Sequence, residues 1–239
     1  MKVDILAIGI HPDDVELSCS GTLIKHIELG KTAGILDLSE GELGTRGNVE
    51  LRRKEAVEGA RIIGVSFRDN LKMADAFFRN DEQHQLMLIQ KIRSYQPEII
   101  LCNAPHDRHP DHGRAAALVT ESSFYSGLLK IQTRNSDGSL QEPWRPRAVY
   151  HYMQDRQLKP DFVVDISEYM DRKMESILAY SSQFYDPSSS EPATPISSAQ
   201  FLQFLKGKDG VQGRAIQVDY AEAFIVDRTP GVENLFDLL

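Results

Sequence analysis

No apolar run in this chain approaches the roughly 18 residues needed to cross a bilayer, so a transmembrane helix is excluded. Cysteine is scarce: Cys19 and Cys102 are the only two in 239 residues and form no C-x-x-C pair, which excludes a disulfide framework and suits a reducing compartment. The start Met1-Lys2-Val3-Asp4 leads straight into a strand-like stretch, without the basic, apolar and small-residue sections of a signal peptide, so a cytoplasmic protein is expected. Positive charge is not in excess either. The formal net charge is −8, whereas nucleic acid or an anionic membrane needs a surplus of Lys and Arg, so neither is expected as a partner. Internal repeats, low-complexity tails and a G-x-G-x-x-G turn after the first strand are also missing. The segment Gly9-Ile10-His11-Pro12-Asp13-Asp14 stands where that turn would be, which argues against a non-catalytic nucleotide- or sugar-binding Rossmann domain.

What is present is an ordinary globular composition, 41% hydrophobic and 26% charged, and a length that accommodates one domain over 1–239 with a sizeable core. Apolar periodicity alternates between 2 and 3.6 residues. Strands are expected over 3–10, 32–38, 65–68, 98–103, 148–153, 162–164 and 220–226, and helices over 15–29, 49–63, 82–95, 113–125, 167–180 and 199–206. Segment 186–195, with three Pro and three Ser, reads as a surface loop. Strands alternating with helices imply an α/β, Rossmann-like, mostly parallel sheet with helices on both faces, since right-handed crossovers place a helix between parallel strands. The core of this single domain is expected over about 1–165, with a C-terminal extension of helices and a strand over about 166–239.

Two segments resemble each other, His11-Pro12-Asp13-Asp14 and His109-Pro110-Asp111-His112. Each lies behind an apolar strand and before a helix, at the carboxyl edge of the sheet where open α/β folds bind ligands. With strand order 3-2-1-4-5 they face each other across the crevice. Pro at a helix start and Asp as a cap are ordinary punctuation for either segment alone. Together they gather four of the seven histidines, His106 included, in two places. His and Asp suit zinc, and a catalytic zinc site uses three protein ligands and one open position. His11 and Asp14 supply two, and a histidine across the crevice supplies the third.

These two motifs, the Gly41-Glu42-Leu43-Gly44 loop and the R-x-x-E pattern of Arg52 and Glu55 together resemble the LmbE/PIG-L family of zinc N-acetylglucosaminyl deacetylases. Thr45-Arg46-Gly47, Gly213-Arg214-Ala215-Ile216 and Tyr220-Ala221-Glu222-Ala223-Phe224 resemble the branch that deacetylates the malate glycoside of N-acetylglucosamine in bacillithiol biosynthesis. The resemblance implies His11, Asp14 and His112 as ligands of one Zn2+ per chain, with Fe2+ as the alternative in the cell. It further implies Asp13 as general base, His109 as the group that assists the tetrahedral intermediate, Asp111 as its orienting partner and Arg52 as a substrate contact. Gln217 departs from the pattern, which has a small residue in Gly-Arg-x-x-Gly-Val, and Leu17-Ser18-Cys19-Ser20 replaces a Gly-rich run.

Arg46, Arg52 and Arg108 lie near the motifs and are candidates for binding an anionic glycoside in an otherwise acidic protein. His106 reads as a loop residue, His26, His84 and His151 as surface or satisfied core groups, and Cys102 as strand packing. The partners expected are a small-molecule N-acetylglucosaminyl glycoside and further copies of the chain in a homo-oligomer. Two alternatives remain at this point. One is a deacetylase of another N-acetylglucosamine-containing molecule, and the other is a metal phosphoesterase with a bridged pair of ions about 3.5–4 Å apart.

Overall fold

Strand β1 (Ile5–Gly9) is buried on both faces, and its alternation divides the core. Leu6 and Ile8 join one cluster, while Ile5 and Ala7 join the other. Strand β2 (Ala33–Ser39) repeats the division, with Leu36 and Leu38 on the first side and Ala33 and Ile35 on the second. Strands buried on both faces need helices above and below. Helices α3 (Glu82–Tyr95) and α4 (Pro110–Tyr125) cover the first face, α1 (Asp14–Glu28) and α2 (Val49–Ile63) cover the second, and α5 (Met170–Leu178) packs on α1 and α2. The computed structural model describes residues 1–238.

The sheet has seven strands in the order β3-β2-β1-β4-β5-β7-β6, with β3 spanning Arg68–Met73, β4 Ile99–Cys102, β5 Ala148–Tyr152, β6 Phe162–Asp165 and β7 Ala221–Val226. The first five are parallel in the expected order. Strand β7 inserts antiparallel between β5 and β6, so the C-terminal segment completes the sheet. A third cluster, including Ile166, Met170, Ile177, Tyr180 and Phe184, joins α5 to α6 (Ala199–Ala215) through Leu205.

Several elements differ from the sequence reading; the helix expected over 167–180 is a 3-10 turn at Ser167–Tyr169 followed by α5 from Met170. Strand β3 begins at Arg68 rather than at 65, because Arg68 itself enters the interior: its guanidinium pairs with Asp37 at 2.7 Å and with Glu16 at 2.5 Å. Helix α4 begins at Pro110 rather than at 113, which puts Asp111 and His112 in its first turn. Helix α6 continues past 206 to Ala215 through Gly207, Gly210 and Gly213. Each glycine costs about 1 kcal/mol of helix propensity, a penalty that tertiary packing overrides here. A Cβ at Gly213 would stand 2.7 Å from the Val218 carbonyl, so that glycine permits the chain to fold back towards β7.

Candidate metal and catalytic site

Strands β1 and β4 are neighbours at the point where strand order reverses, and the two histidine motifs follow their carboxyl ends. The ring centres of His11 and His109 are 4.9 Å apart, those of His109 and His112 5.2 Å, and those of His11 and His112 5.9 Å. Asn103, just past β4, ties the two ends together: its side-chain Oδ1 accepts from the Ile10 amide at 3.0 Å and its side-chain NH2 donates to Asp14 at 2.9 Å.

Each outer histidine has divided duties. His11 Nε2 donates to Asp75 Oδ1 at 3.1 Å and lies 3.6 Å from Asp111 Oδ2, leaving Nδ1 towards Asp14 Oδ2 at 3.9 Å. His112 Nδ1 donates to Asp107 Oδ2 at 2.5 Å, leaving Nε2 at 3.3 Å from Asp14 Oδ1. An imidazole with one nitrogen fixed by a carboxylate and the other aimed at a shared point is how histidines are oriented around a metal. The donor set, two imidazole nitrogens and a carboxylate, suits a divalent ion such as zinc. Ligating atoms of His11, His109 and His112 lie within 4.8 Å of one another, as do those of His11, Asp75 and Asp111.

Electrostatics favour a cation at the same place. Burial works against charge on His11, yet the Asp111 and Asp75 carboxylates beside Nε2 and the charges of Asp14 and Asp13 push its pKa up to about 10. Burial likewise opposes charge on His112, and Asp14 and Asp107 raise its pKa to about 9. Asp14 is driven the other way: the charge of His112 and the bond to it overcome burial and hold the carboxyl well below its usual range.

Asp13 is buried beside these groups with φ of 145°, a conformation that side-chain-bearing residues adopt only under strain of about 1–3 kcal/mol. Arg52 holds it there. The guanidinium donates to Asp13 Oδ2 at 2.7 Å and to the Pro12 carbonyl at 3.2 Å. Burial raises the Asp13 pKa to about 6 against the opposing charge of Arg52, with Asp14 adding to the rise. Gly41 has φ of 65°, and a Cβ on it would stand 2.4 Å from Arg52 Nη1. That close approach explains the first glycine of Gly41-Glu42-Leu43-Gly44.

Of the remaining sequence candidates, Arg46 and the Asp111 carboxylate are placed differently from expectation. Arg46 is buried against the Phe184 carbonyl and Ser189 Oγ, and does not line the cavity above the histidines. Its side chain braces the 184–191 segment. Arg108 does line the cavity, but it is half exposed and its Nε donates to Asp155 at 2.5 Å. The Asp111 carboxylate faces His11, the Ala76 amide at 3.1 Å and Arg114 at 3.2 Å; it is the Asp111 backbone N–H that donates to His109 Nδ1, at 3.3 Å. That leaves Nε2 as the N–H of a neutral His109. Burial and the neighbouring His11 and His112 charges lower the His109 pKa, which favours that neutral form. His106 is exposed, and His26 and His84 bond within their own helices or caps.

Sequence reasoning missed Asp75, Asp107, Asn103 and Gln154. The last donates to Asp14 Oδ1 at 3.1 Å. Asp107 carried a usable signal, since a ligating histidine needs a carboxylate for its other nitrogen and Asp107 stands five residues before His112. Asp75 did not: it arrives from the end of β3, and only the topology reveals its position.

A cavity of about 380 Å³ opens over the cluster, with His11, Asp13, Asp14, His109 and His112 on its floor. A family profile described as PIG-L, GlcNAc-PI de-N-acetylase, matches residues 6–123. Over 190 residues the chain is 30% identical to the diacetylchitobiose deacetylase of Thermococcus kodakarensis, covering 75% of this chain and 70% of that one. The chain belongs to the PIG-L family. Its fold is that of PIG-L relatives of known structure. The conserved protein TT1542 of Thermus thermophilus is 33% identical with a TM-score of 0.83, covering 97% of this chain and 98% of the other. The N,N'-diacetylchitobiose deacetylase of Pyrococcus horikoshii, solved with an inhibitor, is 25% identical with a TM-score of 0.78, covering 98% and 88%. As a PIG-L protein the chain is a member of a deacetylase family. No helix among its described residues is long and apolar enough to cross a membrane.

Proposed function

We propose that this protein is a zinc-dependent hydrolase of the cytoplasm that removes the N-acetyl group from an N-acetylglucosaminyl glycoside, with N-acetylglucosaminyl malate in bacillithiol biosynthesis as the substrate. One observation carries the reading: two carboxylate-braced imidazoles aim their free nitrogens at Asp14, beside a strained, buried Asp13. Membership of the PIG-L family supports the deacetylase class. The resemblance of segments 45–47, 213–216 and 220–224 to the malate-glycoside branch supports the substrate, and two free, buried cysteines suit a reducing compartment.

His11 through Nδ1, Asp14 through its carboxylate and His112 through Nε2 would hold the zinc, or iron(II) in the cell. Bound there, the ion supplies Lewis acidity towards the acetamide carbonyl and draws the pKa of water from about 15.7 towards about 7. Asp13 takes the proton of the attacking water, since a carboxyl with a pKa near 6 is ionised at neutral pH yet more basic than an ordinary carboxylate. Arg52 fixes its orientation. His109 presents Nε2–H to the oxygen that becomes negative, a contribution of roughly 3–4 kcal/mol. His109 Nδ1 accepts from the Asp111 amide, and Asp13, which has taken the water's proton, is placed to return it to the departing amine.

The test is mass spectrometry of the zinc-loaded protein with N-acetylglucosaminyl malate, N-acetylglucosaminyl inositol, N,N'-diacetylchitobiose and free N-acetylglucosamine. Acetyl loss is expected from the malate glycoside at the highest kcat/KM. Loss from none of them removes the reading, and preference for a neutral glycoside replaces the substrate while keeping the class. A bridged metal pair, as in a phosphoesterase, would draw on Asp75 and Asp111, whose ligating atoms lie within 4.8 Å of those of His11. Two tightly held ions per chain would favour that alternative.

A further inference from the structure

Beyond Asp14 the cavity is walled by α6, which contributes Phe201, Phe204, Leu205 and Lys208. A second cavity of about 300 Å³ adjoins it and shares Asp155, Phe204 and Lys208 with the first. The two cavities share a wall, and Lys208 stands on it. The three cations that line the inner cavity differ in how they are neutralised. Arg52 pairs with Asp13 at 2.7 Å and Arg108 with Asp155 at 2.5 Å. Among the described residues Lys208 has only long contacts, 3.4 Å to the Met153 carbonyl, 3.5 Å to the Gln154 carbonyl and 4.0 Å to Asp209 Oδ1. Asp209 is already engaged by Lys173 at 2.7 Å. The Lys208 side chain is 10% exposed, so water does little to replace the missing partner. A buried ammonium without a close anion is costly unless a ligand completes it.

Gln154 sets the relation to the reaction centre. Its backbone carbonyl faces Lys208, while its side chain donates to Asp14 and lies 3.4 Å from His112 Nε2. Gln154 therefore stands between the histidines and Lys208. On the outer side, Gly207 opens onto the second cavity, where an added Cβ would meet nothing within 4 Å.

We propose that Lys208 and the second cavity form the aglycone subsite, in which the ammonium binds a carboxylate of the aglycone while Phe204 covers its carbon skeleton. This rests on the deacetylase reading and assigns the anion specificity of that site to α6 rather than to Arg46 or Arg108.

The test measures KM and kcat for N-acetylglucosaminyl malate and for the neutral methyl glycoside of N-acetylglucosamine. It also measures equilibrium binding of the two deacetylated products, in zinc-loaded wild type, Lys208→Met and Gly207→Phe. Wild type is expected to favour the malate compound by about tenfold in KM and in product binding, the scale of one charge-assisted contact. Lys208→Met should bring that ratio close to one, and Gly207→Phe should lower it by filling the second cavity. If Lys208→Met weakens both compounds by the same factor, or lowers Tm with the ratio intact, Lys208 is a counter-charge for Asp209 and the subsite is overturned. A wild type that binds both products equally overturns it as well. Failure of the deacetylase reading looks different: neither glycoside loses acetyl, while product binding still decides the subsite.

Discussion

Asp13 and Asp14 are adjacent in sequence yet turned to different tasks, because the backbone reverses between them. Asp13 sits at φ of 145° just outside α1 and points to Arg52, whereas Asp14 opens the helix and points to His112. Their substitutions should therefore fail differently. Asp13→Asn keeps an oxygen for Arg52 and a residue type that tolerates positive φ, so it should retain zinc and lose kcat by about 10²–10⁴, the range for a general base. Asp14→Asn should lose zinc. Since burial raises the Asp13 pKa to about 6, wild-type kcat/KM should fall as pH drops through about 6 and the base is protonated, and Asp13→Asn should flatten that limb. Metal analysis beside a pH profile checks both, and a metal-free Asp13→Asn with a metal-replete Asp14→Asn would reverse the roles. At this scale the sequence displayed the histidines and their acidic neighbours because local motifs carry them. It concealed Asp75 and Asn103, whose places depend on which strands are neighbours.

The odd residue of the Gly-Arg-x-x-Gly-Val pattern has its explanation in how α6 ends. The Val218 amide donates to the Gly213 carbonyl at 3.0 Å and the Gln217 amide to the Arg214 carbonyl at 3.4 Å, the paired bonds of a Schellman cap, with Gln217 at φ of 63°. Glycine is the residue this position favours. Gln217→Gly should raise stability by about 0.5–1 kcal/mol, the relief of a left-handed conformation less the added entropy of the unfolded chain. Urea unfolding measures it, and an unchanged or lowered midpoint would show that the glutamine side chain contributes more than its backbone costs. Gln217 lies outside the lining of the catalytic cavity, so kcat should not follow. Most elements were legible because their apolar periods are regular. Two of the exceptions have a local cause: Arg68 inside β3 looks like a surface residue, and three glycines in α6 look like a stop.

Across the molecule, His151 joins β4, β5 and the chain leaving β7. Its Nδ1 lies 2.8 Å from the Asn103 carbonyl and 3.3 Å from Cys102 Sγ, and its Nε2 lies 3.3 Å from Asp227. Burial disfavours its charge, but Cys102, the Asn103 carbonyl and Asp227 together push its pKa up to about 10. A histidine whose folded pKa is raised adds stability that is complete below its unfolded value of about 6.5 and is lost as pH climbs through about 10. Thermal melting from pH 6.5 to 10 should fall more steeply for wild type than for His151→Gln, and parallel curves would contradict the assignment. The order of the five parallel strands is the common one for a Rossmann-like sheet, but nothing local announced that β7 would enter antiparallel between β5 and β6. The same long-range closure brings α6 to the catalytic cleft. The central claim, that His11, Asp14 and His112 form one metal site that drives deacetylation, is tested most directly by zinc content and acetyl release measured on the same preparations of wild type and His112→Ala. One zinc per chain with acetyl loss in wild type, and loss of both in His112→Ala, is the expected result; a His112→Ala protein that keeps its zinc and its activity would contradict it.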